Sequence, residues 1–308
     1  MRVLVTGASG RIGRAVMVRL SRQHQVLGLD RAASSTAHWV GDLADAGLLR
    51  RALQGVDAVV HTAALHAPQV GRVPDAEFTR TNVGATRTLA EAACAAGVAQ
   101  FVYTSTTALY GDAATPAHSA GWVDEALVPQ PRTIYHRSKL AAEQLLACYA
   151  EAGAFGLTVL RMARCFPETA PQMACARLHR GVDARDVAEA HARALDTARP
   201  GSRGYVISGP TPFQPGDVAA LKREAPAVLR QRAPALVQAF AERGWALPAS
   251  IDRVYSPALA RRELGWQPRF GFAEVLRQLD DESPEVLPAG FLVADPGLRL
   301  PGQAEDCR

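Results

Sequence analysis

Short runs of β-branched and leucine residues alternate with longer amphipathic stretches through the first two thirds of the chain. Residues 2–5, 25–29, 38–40, 58–61, 101–104 and 158–161 predict strands, because each is a brief apolar run bounded by turn-forming residues. Between them, 12–21, 44–53, 75–96 and 133–152 predict helices, with apolar positions recurring every three or four residues. This alternation predicts βαβ units and an α/β fold with a parallel sheet buried on both faces. A helix over 183–197 and a strand over 204–207 are expected to return to that sheet. After Gly209 the texture changes. Pro210, Pro212, Pro215, Pro226, Pro234 and Pro248 punctuate helical pieces, which predicts a smaller, mostly helical lobe. The expected division is therefore a main domain of 1–165 with 183–208, and a lobe of 166–182 with 209–280. A Pro-rich tail, 281–308, is expected to wrap the surface or stay disordered.

Composition narrows the functional classes. The 308 residues carry a formal charge of only +4 and the basic residues are scattered, which argues against nucleic acid as the main partner. Arg14, Arg19 and Arg22 fall near one helix face and read as a solvated surface. The five cysteines, Cys94, Cys148, Cys165, Cys175 and Cys307, form no CxxC pair and no metal-like cluster with histidine. No metal is expected, and reduced thiols suit a cytoplasmic protein. The chain opens directly on the strand-like MRVLVTG, without a signal-peptide pattern, and no apolar run approaches a membrane span.

Chemistry begins at VLVTGASGRIGRAV, a strand, a glycine-rich turn and an amphipathic helix. Gly7, Gly10 and Gly13 let the backbone turn tightly and approach a pyrophosphate. Ser9, Arg11 and Ile12 complete the turn and the first helical N–H groups, where the helix dipole favours an anion. At the first strand–helix junction of a βαβ unit this pattern predicts a Rossmann-type, doubly wound domain. Asp30 closes the second strand, 17 residues after Gly13. A carboxylate there accepts the adenosine-ribose hydroxyls and repels a 2′-phosphate, which favours NAD. The adjacent Arg31 keeps NADP open. Asp42 and Leu43 are placed to flank the adenine, and the small Ala63 and Ala64 leave room along the cofactor. His61 reads as a packed core histidine.

Two further pieces complete a reaction centre. FVYTSTTALYG ends the fifth strand in hydroxyls, and YHRSK opens the next long helix, with Tyr135 and Lys139 one helical turn apart. A free phenol titrates at about 10. A neighbouring ammonium and a nicotinamide ring are expected to lower it, while Thr106 holds the substrate oxygen.

These residues carry a resemblance. TGASGRIG, GLD, GDLAD, HTAA, TNVGAT, YTSTTALYG, YHRSK, VDARDVAEAH and ARRELGW together resemble the extended short-chain dehydrogenase/reductases, which include nucleotide-sugar epimerases and dehydratases. The resemblance covers about residues 1–275. It implies that Tyr135 is the catalytic acid/base, that Lys139 binds the ribose and tunes the tyrosine, and that Thr106 stands where serine is more usual. Asn82 matches an asparagine that supports the site through backbone contacts. The resemblance also implies a homodimer packed through the 75–96 and 133–152 helices.

The chain departs from the nucleotide-sugar members in one region. Arg161 and Asp186 are only 25 residues apart, where those enzymes carry a much longer segment. Arg164 replaces their usual asparagine. Trp245 and Ala246 stand where they place a diphosphate-binding arginine, with Arg243 nearby but out of register. RMARCFPE resembles instead the CxPE pattern of uronate dehydrogenases. His66, Thr107, Arg164, Arg180 and Arg253 are candidates for substrate contact, although Arg164 is equally suited to pairing with Glu168. The leading expectation is an NAD(P)-dependent oxidoreductase acting on a small sugar-like or polyhydroxylated molecule. A nucleotide-sugar 4-epimerase is the alternative, and a cofactor-sensing protein without catalysis a third.

Overall fold

The computed structural model describes residues 1–197 and 199–290. Seven parallel strands form the main sheet: β1 (Arg2–Thr6), β2 (Gln25–Asp30), β3 (Trp39–Val40), β4 (Ala58–His61), β5 (Gln100–Thr106), β7 (Gly156–Met162) and β8 (Ser202–Ile207). Their order is β3-β2-β1-β4-β5-β7-β8. The chain therefore winds outward in one direction from β1 and in the other from β4. The C-terminal edge between those two strands is the switch point where doubly wound sheets bind ligands.

Alternation along the strands builds two core layers. Val3 and Val5 face a layer shared with α1 (Arg11–Leu20) and α7 (Ala184–Asp196). Leu4, Phe101 and Tyr103 face the opposite layer, with α2 (Ala46–Ala52), α4 (Ala85–Ala95) and α5 (Ile134–Glu151).

The predicted 75–96 helix is continuous in path but not in pitch. It comprises α3 (Asp75–Phe78), a π-helical turn (Thr79–Gly84) and α4. Such turns frequently mark functional positions, and this one contains Asn82.

The lobe has its own apolar core. It includes α6 (Ala170–His179), α8 (Val218–Arg232), α9 (Pro234–Glu242) and α11 (Phe272–Asp280). The small helix α10 (Ala258–Leu264) packs instead against the sheet layer of α1 and α7. A two-stranded parallel ribbon, β6 (Gly121–Val123) with β9 (Arg253–Tyr255), ties the segment after β5 to the lobe. Part of the Pro-rich tail is ordered: Leu287 N donates to Glu168 O at 2.9 Å, and Ala170 N to Leu287 O at 2.9 Å. The rest of the tail expectation, with Cys307, lies outside the described residues. Among the described residues, no helix is long and apolar enough to cross a membrane.

Candidate active site

Gly7 leaves β1 with φ +72°, in the left-handed region. A Cβ on Gly7 would lie 2.6 Å from Ala63 N, and one on Gly13 would lie 2.0 Å from Gly7 O. Turn, α1 and the loop after β4 are thus pressed together, and only glycine fits. No side chain caps α1 at Gly10. Its leading N–H groups keep the capacity to bind an anion. Those features fit a dinucleotide diphosphate. Ser9 and Ile12 lie in and just beyond the turn, and Arg11 forms an ion pair with Glu285 of the ordered tail.

Asp30 ends β2 with its carboxylate accepting from Ser9 N at 2.9 Å and Ala32 N at 2.9 Å. It therefore bridges the glycine turn to the loop that follows β2. Arg31 lies near Glu77, whose carboxyl is held below its ordinary value chiefly by its hydrogen bond to Arg80 and in part by the charge of Arg31. Asp42 accepts from Ala44 N at 2.9 Å and from Arg80 at 3.4 Å, and Leu43 is buried beside it. Ala63 and Ala64 are half-buried. His61 is a core residue as expected, hydrogen-bonded to Thr6 Oγ1 at 2.6 Å and Thr86 Oγ1 at 2.8 Å.

Asn82 is buried in the π-helical turn and joins two walls of the site. Its Oδ1 accepts from Leu65 N at 2.8 Å, and its Nδ2 donates to Leu65 O at 2.9 Å and Ser138 Oγ at 3.0 Å. The loop after β4 is thereby fixed to α5, the helix that carries Tyr135 and Lys139.

Thr106 ends β5, its hydroxyl accepting from Ala108 N at 3.1 Å and lying close enough to the Tyr135 phenol to influence it. Burial lifts the phenol above its ordinary value, and the Thr106 contact opposes that rise. The lowering expected from Lys139 is not part of the polypeptide's own balance.

Lys139 is 3% exposed. Its Nζ donates to Thr104 O at 2.6 Å and sits 4.1 Å above the Tyr103 ring. Burial brings its pKa down to about 7, with Glu143 pulling the other way. Thr104 is anchored from the opposite layer, its hydroxyl bonded to His191 Nε2 at 2.7 Å, while His191 Nδ1 lies 2.8 Å from Val187 O.

The substrate candidates divide. His66 is exposed as a whole residue but its ring, 5.9 Å from that of Phe166, is partly withdrawn from water, and that desolvation and the charge of Lys139 lower its pKa. Thr107 turns its hydroxyl to Met162 O at 3.4 Å. Arg164 pairs with Glu168 at 2.7 Å and lies over Phe166. Its backbone bridges to the Arg180–Gly181 segment, through Arg164 N to Arg180 O at 3.0 Å. His179 Nδ1 reaches Arg253 O at 2.9 Å, and Arg253 pairs with Asp252 at 2.6 Å. Arg253 also bears on His136, the neighbour of Tyr135: burial, Arg132, Arg137 and Arg253 bring that histidine to about 4. Arg243 belongs elsewhere, paired with Asp280 at 3.0 Å.

Sequence reading missed Thr104, Ser138, Glu143, Arg161 and His191. Glu143 left a signal, since it falls one turn beyond Lys139 on a helix face shared with Ala142 and Leu146. The others act through backbone carbonyls or across the sheet, where local spacing carries no information.

Comparison with known proteins adds family context. A family model described as the NAD dependent epimerase/dehydratase family matches residues 3–176, more than half of the chain. An NAD-dependent glucose-6-phosphate dehydrogenase from Haloferax volcanii is 30% identical over 162 residues, 46% of this chain and 60% of the relative. A UDP-glucose 4-epimerase from Erwinia amylovora is 32% identical over 171 residues, 49% of each protein. The chain thus aligns with less than two thirds of the length of either relative. A short-chain dehydrogenase/reductase superfamily protein from Agrobacterium tumefaciens, solved with bound NAD, superposes with a TM-score of 0.68. The match covers 90% of this chain and 95% of that one at 23% identity, a likeness of fold.

Proposed function

Because the chain belongs to the NAD-dependent epimerase/dehydratase family, we propose that it is an NAD-dependent oxidoreductase interconverting an alcohol and a carbonyl on a small sugar-like or polyhydroxylated substrate. The observation that carries this reading is the meeting of Thr106, which closes β5 at the carboxyl edge of the sheet, with Tyr135 and Lys139, one turn apart on α5 and both withdrawn from water. Gly7, Gly10, Gly13 and the first turn of α1 hold the cofactor diphosphate, and Asp30 favours NAD over NADP. The nicotinamide, when bound, supplies or accepts the hydride.

The remaining chemistry belongs to the protein. Thr106 orients the substrate oxygen toward Tyr135. Burial keeps the phenol protonated, so Tyr135 is ready to donate to a carbonyl oxygen and must first lose its proton to act as a base. Lys139, with a pKa of about 7, is the neighbouring group that changes charge near neutrality. Arg180 and Arg253, on a lobe of residues 166–182 and 209–280, line the substrate side together with Arg164 and His66 of the main domain, and suit a polar or anionic substituent. Homodimerisation through α4 and α5 is part of the same proposal.

The similarity to a UDP-glucose 4-epimerase supports a second reading, in which bound NAD is reduced and reoxidised within one turnover. Incubation with NAD and a panel of free sugars, uronates and UDP-sugars separates the two. Stoichiometric growth of nicotinamide absorbance is expected with a free sugar or uronate. Stabilisation and epimerisation by UDP-sugars alone, without net NADH, would replace the first reading by the second. Tyr135→Phe is expected to lower turnover ~10²–10⁴-fold while NAD still binds; full activity in that variant would remove both.

A further inference from the structure

Phe166 has no part in the function proposed above, yet contacts from two loops converge on it. It lies in the segment that leaves β7, and backbone hydrogen bonds pin that segment at both ends. At one end Arg164 N donates to Arg180 O at 3.0 Å and Val182 N to Arg164 O at 2.9 Å. At the other, Leu287 N donates to Glu168 O and Ala170 N to Leu287 O, both at 2.9 Å. The Arg164–Glu168 ion pair spans the segment and sets the guanidinium 5.6 Å from the centre of the Phe166 ring. Pro167 follows, which biases Phe166 toward an extended backbone. A short, stiff span thus carries a half-buried aromatic ring.

The ring's partner comes from the other side of β5, which lies between β4 and β7 in the sheet. The loop leaving β4 is as firmly based. Asn82 fastens Leu65 at both N and O, and His66 N donates to Gln69 Oε1 at 2.6 Å. From these two bases the rings of His66 and Phe166 meet, with centres 5.9 Å apart and planes inclined at 36°. The contact therefore joins the loops on either side of the strand that ends in Thr106. The His66 imidazole is partly withdrawn from water and feels the charge of Lys139, which agrees with a position facing the reaction centre.

We propose that His66 and Phe166 roof the reaction centre, and that the Phe166 ring is the surface on which the C–H face of a sugar ring rests, making Phe166 a determinant of substrate specificity. A polyhydroxylated ring presents a rim of hydroxyls and an apolar C–H face. Arginines and hydroxyls recognise the rim, and an aromatic ring covers the face. Arg164, bound to Glu168, holds the ring in place from its outer side. The same roof keeps bulk water away from the end of β5.

The substrate class rests on the oxidoreductase reading, so the experiment has two arms. In the first, full-length protein loaded with NADH is titrated with acrylamide, and quenching of the bound nicotinamide's fluorescence is followed. Phe166→Ala and His66→Ala are each expected to raise the quenching constant at least about twofold, because either opening admits the quencher. His66 is exposed as a residue, so His66→Ala serves if Phe166→Ala does not fold. Wild-type quenching in the variants that fold overturns the roof. A wild-type protein that binds no NADH removes the function proposed above, and the roof with it. In the second arm, the free sugar or uronate that wild type turns over best is given to Phe166→Leu and Phe166→Tyr. In Phe166→Leu, kcat/KM is expected to fall about tenfold, chiefly through KM, and Phe166→Tyr to recover most of it. Equal losses in the two variants, or no loss in either, overturn the role of the ring. Raised quenching without turnover of any sugar would keep the roof and remove the sugar.

Discussion

The two sides of the candidate site are built from different materials. On the cofactor side the structure is mostly backbone and absence: Gly7, Gly13 and Ala63 touch through main-chain atoms, and an added Cβ has nowhere to go. On the proposed substrate side it is long charged side chains, with Arg164 on Glu168 and Arg253 on Asp252. A wall made of backbone constrains sequence tightly, because its shape follows from φ values and the lack of side chains. A wall made of arginines does not. Each can swing, exchange partners or be replaced by a neighbour, so the same fold serves many substrates.

The sharpest way to break this contrast is Gly13→Ala. A Cβ 2.0 Å from Gly7 O must push α1 away from β1. We expect loss of NAD binding by at least ~100-fold and a stability loss of about 2–4 kcal/mol, read by calorimetric titration and thermal melting. Wild-type affinity in this variant would mean that the turn is not the rigid wall described.

Asn82→Ala tests whether the rigidity extends to α5. It removes three buried hydrogen bonds and leaves Leu65 N and O without their side-chain partner. About 2–3 kcal/mol of unfolding free energy should be lost, measured by denaturant titration. A change below about 0.5 kcal/mol would place the joint between the walls elsewhere.

Arg164→Met should have the smallest effect. Its pair with Glu168 is partly exposed, so stability should change by no more than about 1 kcal/mol. NAD affinity should be unchanged, and the KM of an anionic substrate should rise about tenfold, a loss of one charge-assisted contact. A weaker NAD complex would show that the two walls are not separable.

The contrast also explains what the chain made legible in advance. Six of the seven main strands and the long helices follow from periodicity, since a fully buried parallel strand is a short apolar run and each crossover helix shows an amphipathic stripe. The last strand was legible for the same reason, as a run returning after α7. The places of Gly7, Gly13, Asp30, Tyr135 and Lys139 in the fold were readable, because a turn, a strand end or one helical turn of spacing dictates them. The β6–β9 ribbon was not, because three-residue strands from distant segments carry no period. The proton balance at Tyr135 was not readable either. It depends on how much water the fold removes from the phenol, and packing decides that.

The π-helical turn at Thr79–Gly84 gives one last consequence, which concerns insertions and deletions rather than substitutions. A helix advances by about 100° per residue, so the turn works like an extra tooth between α3 and α4. Removing one residue from it would return the segment to ordinary pitch and rotate the Asn82 side by about that angle relative to one flanking helix. Every other side chain would be kept and the clamp on Leu65 and Ser138 would still be lost. In this stretch the number of residues is as strict a requirement as their identity.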